Sequence, residues 1–285
     1  MRLMRRMMSL CTLAGLLLCF CVTPPALAAT GEADAVWHDA ALEGLVRAAL
    51  AQPEGALAPE SLAGVTAISL YGDTLVLADV PPPEVYRMGA VANLRDLEKF
   101  PNLTSLAVWH QPVADLSPLA AHTPLTTLSL AALPVADLSA LAGLTGLTRL
   151  TVRSAQVSDL APLAGLTALR SLALWDNQIA DLTPLAGLTA LDELLLWRNQ
   201  IESLAGLETL SQLTKLDLYE NRIVSVAPLQ GLARLTWLSL DHNPIEDPTP
   251  LAGLKKLRTL YITYRPPTLT SKIIKQMLPN CYTSE

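Results

Sequence analysis

The side chains best suited to chemistry in this 285-residue chain are four histidines, one cysteine near the C-terminus and five tryptophans. A metal centre or a hydrolase would use the first two types. His38, His110, His122 and His242 are far apart in sequence. His110 and His242 share a position in the 22-residue repeat described below, but six repeats apart. At the spacing of neighbouring strands that is about 29 Å, too far for one metal ion. Cys281 has no histidine near it in sequence to make it a nucleophile. No G-x-S-x-G, H-E-x-x-H or phosphate-cradling glycine loop occurs. The residues point away from an enzyme, with no catalytic set, no metal ligands and no cofactor.

The tryptophans are distributed differently. Trp109, Arg153, Trp175, Trp197 and Tyr219 occupy one repeating position, and Trp237 and Tyr261 fall at two others two residues apart. Asp176, Arg198, Asp217 and Glu220 stand among them. Tyr71 extends the row toward the N-terminus. Trp, Tyr and Arg are the residues that dominate binding energy at interfaces, and mixed charges suit the polar rim of such a surface. Aromatic side chains on neighbouring strands also pack on one another, which is the competing explanation. The expectation is a large exposed apolar ridge, with these eleven residues (Tyr71 aside) as the partner-binding set.

These residues are positioned by a repeat. Residues 166–187 read LTALRSLALWDNQIADLTPLAG and residues 188–209 read LTALDELLLWRNQIESLAGLET. The frame runs from Phe100 through Leu254 without insertion or deletion. Such a period signals a stacked solenoid, in which each unit buries its apolar face only on its neighbours. The alternation Leu172-Ala173-Leu174 is a strand with leucines inward. Asn177, Asn199, Asn221 and Asn243 stand at the turn, where a buried amide pairs with backbone groups of adjacent units. Gln111, Leu133 and Ala155 hold that place earlier, so looser turns are expected there. Ile179, Leu182 and Leu185 point inward on the return side. Asp115, Asp137, Asp159, Asp181 and Asp247 precede return segments that mostly contain proline, favouring short 3₁₀ turns.

The pattern L-x-x-L-x-L-x-x-N-x-I, followed by x-D-L-x-P-L-x-G, resembles the leucine-rich repeats of bacterial internalins. WHDAALEGLVRAALAQPEGALAPESLAGVTAISL resembles their helical cap and first strand, and the terminal LPNC resembles the end of many bacterial arrays. The resemblance implies an α/β solenoid. This would be a curved right-handed superhelix with a parallel concave β-sheet and short 3₁₀ or loop segments on the convex side. A helical N-terminal cap and a short C-terminal cap helix complete it. It also implies a binding module more than a catalyst.

Four stretches follow. Residues 1–28 read as a secretory signal peptide, with Arg2, Arg5 and Arg6, an apolar run over residues 10–22 and an Ala26-Leu27-Ala28 cleavage site. The apolar run is too short to span a bilayer. Residues 29–99 form the cap, with a helix over about 36–51 and a degenerate first strand at 65–71. An insertion of about 16 residues follows, with Pro81-Pro82-Pro83 and a helix-like run over 84–99. Residues 100–264 are the repeats, seven full and one partial. Residues 265–285 are the C-terminal cap, with a helix over 268–278 and Cys281 read as a small buried residue. Without residues 1–28 one cysteine remains, and 17 basic residues face 26 acidic ones. That balance argues against nucleic acid or an anionic membrane as partner. The reading is an exported, periplasmic or secreted monomer without a membrane span, holding a protein partner on its concave face. A glycan stacked on the tryptophans is the alternative, and an envelope scaffold is the third possibility.

Overall fold

The computed structural model describes residues 36–81, 87–262 and 270–284. Helices α1 (Ala40–Ala49) and α2 (Pro59–Ala63) precede an eleven-stranded sheet. Its strands are β1 (Ala67–Tyr71), β2 (Thr74–Val76), β3 (Ser105–Trp109), β4 (Thr127–Ala131), β5 (Arg149–Arg153) and β6 (Ser171–Ala173). They continue with β7 (Glu193–Leu195), β8 (Lys215–Asp217), β9 (Trp237–Ser239), β10 (Thr259–Tyr261) and, after α3 (Thr270–Met277), β11 (Tyr282–Ser284). From β3 to β10 every pairing is parallel and aligns equivalent repeat positions, as Leu106 with Leu128 and Leu216 with Leu238. The return sides carry 3₁₀ turns such as Ser117–Ala121 and Thr183–Gly187 on the convex side. Leu172, Leu174, Ile179, Leu182 and Leu185 are all fully buried. Each such side chain contributes about 2 kcal/mol by leaving water.

The asparagine column works as the sequence suggests. Asn199 Nδ2 donates to the carbonyls of Leu174 (3.0 Å) and Leu196 (2.9 Å), and its Oδ1 accepts from the Ile179 N–H (3.1 Å). Asn177, Asn221 and Asn243 repeat the pattern. Gln111 is a further rung. It is fully buried, accepts from the Val91 N–H and donates to the Gly72 carbonyl. Its extra methylene is accommodated because Gly89 has no side chain: a Cβ there would lie 2.0 Å from the Gln111 amide oxygen. Among the described residues, Leu133 and Ala155 interrupt the column.

On the return side, Asp115 accepts from both the N–H and the hydroxyl of Ser117, and Asp181 from both of Thr183. These hydrogen bonds hold both carboxyls below their ordinary range. The return between β7 and β8 has no 3₁₀ turn. Gly206 (φ 99°) takes the proline position there, and a Cβ on it would sit 2.5 Å from the Leu182 carbonyl.

The cap is fastened by two carboxylates. Asp39 caps α1 through the N–H groups of Ala41 and Leu42, and also accepts from Ala92 and Asn93. Asp96, fully buried in the 3₁₀ turn Arg95–Lys99, accepts in return from the N–H groups of His38 and Asp39. Its other oxygen meets His38 Nδ1 (3.0 Å) and Lys99 Nζ (3.2 Å). Burial alone would raise the Asp96 pKa, but these hydrogen bonds outweigh it and hold the carboxyl below its ordinary value.

The insertion departs from expectation. A helix over 84–99 does not form: the chain is irregular from Arg87 to Leu94, and Arg95–Lys99 is the 3₁₀ return of the first repeat. Residues 84–86 lie outside the described residues. The apolar periodicity of this stretch comes from Val91, Leu94, Leu97 and Phe100, which are return-side core positions. The inserted residues instead begin with β2, which pairs antiparallel with β1 through the two-residue turn Gly72-Asp73. They then cross the outward side of β1. Ser69 Oγ donates to the Ala78 carbonyl and Tyr71 Oη to the Val80 carbonyl.

At the other end α3 spans Thr270–Met277, and 268–269 of the expected helix lie outside the described residues. Ile274 is buried against the last repeat. Cys281 is half-buried against the core, and burial pushes its thiol pKa up. The chain then adds a strand absent from the sequence expectation, β11, beside β10.

Candidate functional site

The outward strand positions gather most of the expected residues on one surface. Trp109 ends β3, Arg153 ends β5, Asp217 ends β8, Trp237 begins β9 and Tyr261 ends β10. Trp175, Trp197 and Tyr219 stand two residues beyond the ends of β6, β7 and β8, at the repeat position of Trp109 and Arg153. Asp176, Arg198 and Glu220 lie one residue further, at the corner where the chain leaves the sheet. There the backbone turns left-handed at φ 59°, 54° and 55°. His110 and His242 occupy the same corner column.

The aromatic groups are packed on one another. Trp175 and Trp197 stack with centroids 4.3 Å apart and planes 13° from parallel. Arg153 lies 4.6 Å from the Trp175 centroid on the side of the preceding strand and 3.9 Å from that of Trp109. It spans the strand between them because that strand carries only Ala131, buried at 2 % exposure. Trp109 Nε1 donates to Ser129 Oγ at 2.9 Å. Trp237 meets Tyr261 at 5.7 Å and Tyr219 meets His242 edge-on at 5.0 Å.

This corrects two expectations. The ridge of exposed rings does not exist as such: Trp175 and Trp197 are half-buried, because each uses a face on its neighbour. Tyr71 does not extend the surface. It is 3 % exposed, beneath the crossing insertion and edge-on to Trp109 at 5.0 Å. The accessible row therefore begins at β3.

Charges are largely paired. Lys215 Nζ meets Glu193 Oε1 at 2.8 Å, and Arg198 Nε meets Glu220 Oε2 at 2.9 Å. Burial would raise the Glu193 pKa, but the hydrogen bonds from Lys215 and Ser171 hold it below its ordinary value. Asp217 goes the other way. Desolvation at the centre of the sheet raises its pKa, against the N–H of Tyr219 and the hydroxyl of Ser239. Asp176 accepts from Ser154 Oγ at 2.8 Å. Of the remaining histidines, His122 is buried in an inward leucine position and burial lowers its pKa. Among the described residues no three metal-ligating side chains converge, and no helix is long and apolar enough to cross a membrane.

Sequence reasoning missed Asp96 and Gly89, and it took Gln111 for a gap with a looser turn where the buried amide is a rung of the column. Asp96 had a signal, since it stands one period before Pro118 in a column otherwise held by proline, alanine or glycine.

Parallel strands in constant register, 3₁₀ returns and an asparagine column define a leucine-rich repeat solenoid. A leucine-rich repeat family model matches residues 189–245. The structure is similar to that of internalin C2 from Listeria monocytogenes, at 33% identity over 79% of this chain and 93% of that one, with a TM-score of 0.69. It is similar also to an internalin F of the same species, at 25% identity over 86% and 88% of the two chains and a TM-score of 0.61. A Leptospira interrogans leucine-rich repeat protein shares the fold at 18% identity, over 70% of this chain and 65% of that one, with a TM-score of 0.55. No curated protein matches. The chain belongs to the internalin-like leucine-rich repeat family. Such folds are typically protein-binding modules and are generally non-catalytic.

Proposed function

We propose that this is an exported, non-enzymatic protein that holds a protein partner across its sheet face, with Trp175, Trp197, Tyr219 and Trp237 as anchors. The observation that carries the reading is the Trp175–Trp197 stack. The same column accepts Ala131 without change of strand register, so the solenoid does not require an indole there. Two half-buried tryptophans on a sheet, ringed by paired charges, match the centre and rim of a protein interface.

Export is supported by the basic start, apolar run and Ala26-Leu27-Ala28 of residues 1–28. The stack favours protein over sugar. A sugar needs an open ring face, and Trp175 has Arg153 on one side and Trp197 on the other. It offers its edge, which suits side chains and backbone carbonyls.

A photo-crosslinking amino acid placed at Thr151, on the sheet face, and separately at Val224, on an exposed return, tests the face used. Adducts with protein in an extract of the source cell are expected from Thr151 and to vanish in Trp175→Ala/Trp197→Ala with circular dichroism unchanged. Adducts from Val224 alone overturn the reading.

A further inference from the structure

One end of the sheet face is already occupied, by the chain itself. Residues 78–80 cross the outward side of β1 and are held there by their main chain. Ser69 Oγ donates to the Ala78 carbonyl at 2.7 Å and accepts from the Val80 N–H at 3.4 Å, while Tyr71 Oη donates to the Val80 carbonyl. A carbonyl and the N–H two residues on lie along one side of an extended chain, so one hydroxyl serves both. Ala78 and Val80 are half-buried and Asp79 is exposed, the alternation of a strand lying on a surface. Beneath them Ser69 is 1% exposed.

The same positions continue on the next strands. Register places Ala107, Ser129, Thr151 and Ala173 in line with Ser69, and Trp109, Ala131 and Arg153 in line with Tyr71. Ser129 and Thr151 repeat the hydroxyl, and both remain half-buried where Ser69 is covered. Ser129 Oγ accepts from Trp109 Nε1, which leaves its own proton to donate. The Thr151 hydroxyl makes no hydrogen bond to another described residue. Ala107, Ala131 and Ala173 keep the floor between these hydroxyls low. Trp109, Arg153 and Trp175, in cation–π contact, wall it along one side. From β3 to β6 the floor spans three strand spacings, about 14 Å, which an extended chain covers in about four residues.

We propose that the partner presents an extended segment of alternating small apolar and polar residues, which lies on the β3–β6 floor as residues 78–80 lie on β1. The inference rests on the protein-binding reading above and gives the form of the partner. Ser129 and Thr151 donate to its carbonyls and accept from its N–H groups. Its small apolar side chains rest on Ala107 and Ala173, beside the ring of Trp109. Main-chain hydrogen bonds supply affinity in this mode, and the room left for alternate side chains supplies specificity. A large side chain turned toward the floor would lift the main chain off the hydroxyls, so size excludes the wrong partners.

The test is fluorescence anisotropy of three labelled peptides with the full chain: Ser-Ala-Ser-Val-Ser-Ala-Ser, the same with its Ala and Val amides N-methylated, and the same with Ala and Val changed to Trp. The parent peptide is expected to bind saturably, with Kd below about 1 mM. N-methylation, which removes N–H donors and keeps the side chains, should weaken it about tenfold, and the Trp peptide should bind no better than the methylated one. Thr151→Val should weaken the parent peptide about fivefold, and Ser129→Ala/Thr151→Val about tenfold or more, with circular dichroism and melting temperature unchanged. No saturable binding, equal affinity of the parent and methylated peptides, or unaltered affinity in both variants overturns the proposal. If crosslinks from Thr151 form in the extract while the peptide does not bind, this inference fails and the protein-binding reading stands. Crosslinks from Val224 alone remove both.

Discussion

Replacing Asn199 with alanine removes one rung of the column that joins successive repeats. The side chain makes three well-formed hydrogen bonds, to the Leu174 and Leu196 carbonyls and from the Ile179 N–H, and a marginal fourth to the Trp197 carbonyl at 3.4 Å. All lie in a site where Asn199 is 9% exposed, so water replaces them poorly. At about 1 kcal/mol for each good bond, the loss is about 3 kcal/mol. For a chain of this size that lowers the melting midpoint by about 6–12 °C. Thermal unfolding followed by far-ultraviolet circular dichroism measures it, with Gln200→Ala as the neighbouring exposed control, expected within about 0.5 kcal/mol of wild type. The amide of Ile179 should exchange faster in the variant. A midpoint equal to that of Gln200→Ala, or unaltered exchange at Ile179, would refute the idea that buried amides carry the inter-repeat joint.

Gly89→Ala should destabilise by about 1–3 kcal/mol through overpacking on Gln111, and Gln111→Asn in the same chain should recover part of it; urea midpoints of the two variants check this. His122 has a pKa lowered by burial from its ordinary 6.5, so its stabilisation is present above about that pH and is lost as pH falls through the folded value. His122→Leu should flatten that part of the stability profile between pH 7.5 and about 5. Asp217 has the opposite sign: its folded pKa is raised, so its ionisation destabilises as pH rises. Asp217→Asn should therefore melt higher than wild type at pH 7 and level with it near pH 3, as scanning calorimetry at the two pH values would show.

The fold was legible because its determinants repeat. Leu, Ile and Asn positions recur every 22 residues, and each unit meets the same neighbours, so one column predicts all. Places where the chain breaks period were not legible. The run from Arg87 to Lys99 has helix-like apolar spacing, yet those residues serve a return turn dictated by the next repeat. Nothing local announces that Ala78 and Val80 will supply carbonyls to the outward side of β1. The identities on the sheet face were readable from the frame, but their exposure was not. Exposure depends on which rotamer each ring takes against its neighbour, and Arg153 reaching across Ala131 to Trp109 is a two-strand contact invisible to a one-repeat pattern.

The corner column shows why the strand residues carry more functional information than those beside them. His110, Ala132, Ser154, Asp176, Arg198, Glu220 and His242 all adopt left-handed backbone angles without being glycine. That conformation costs an ordinary L-residue about 1–2 kcal/mol, and short polar side chains such as Asp meet it best. Asp176 therefore has a reason to be where it is that concerns only the backbone, and its bond to Ser154 adds another. Arg198 and Glu220 gain nothing from the angle, and their mutual ion pair is exposed and worth little in stability. Trp175 and Trp197 have no backbone reason at all, since their column also accepts alanine. Loss of binding on substituting Asp176 would mix a damaged corner with a lost contact. Loss on substituting Trp175, at unchanged melting temperature, could only report the surface.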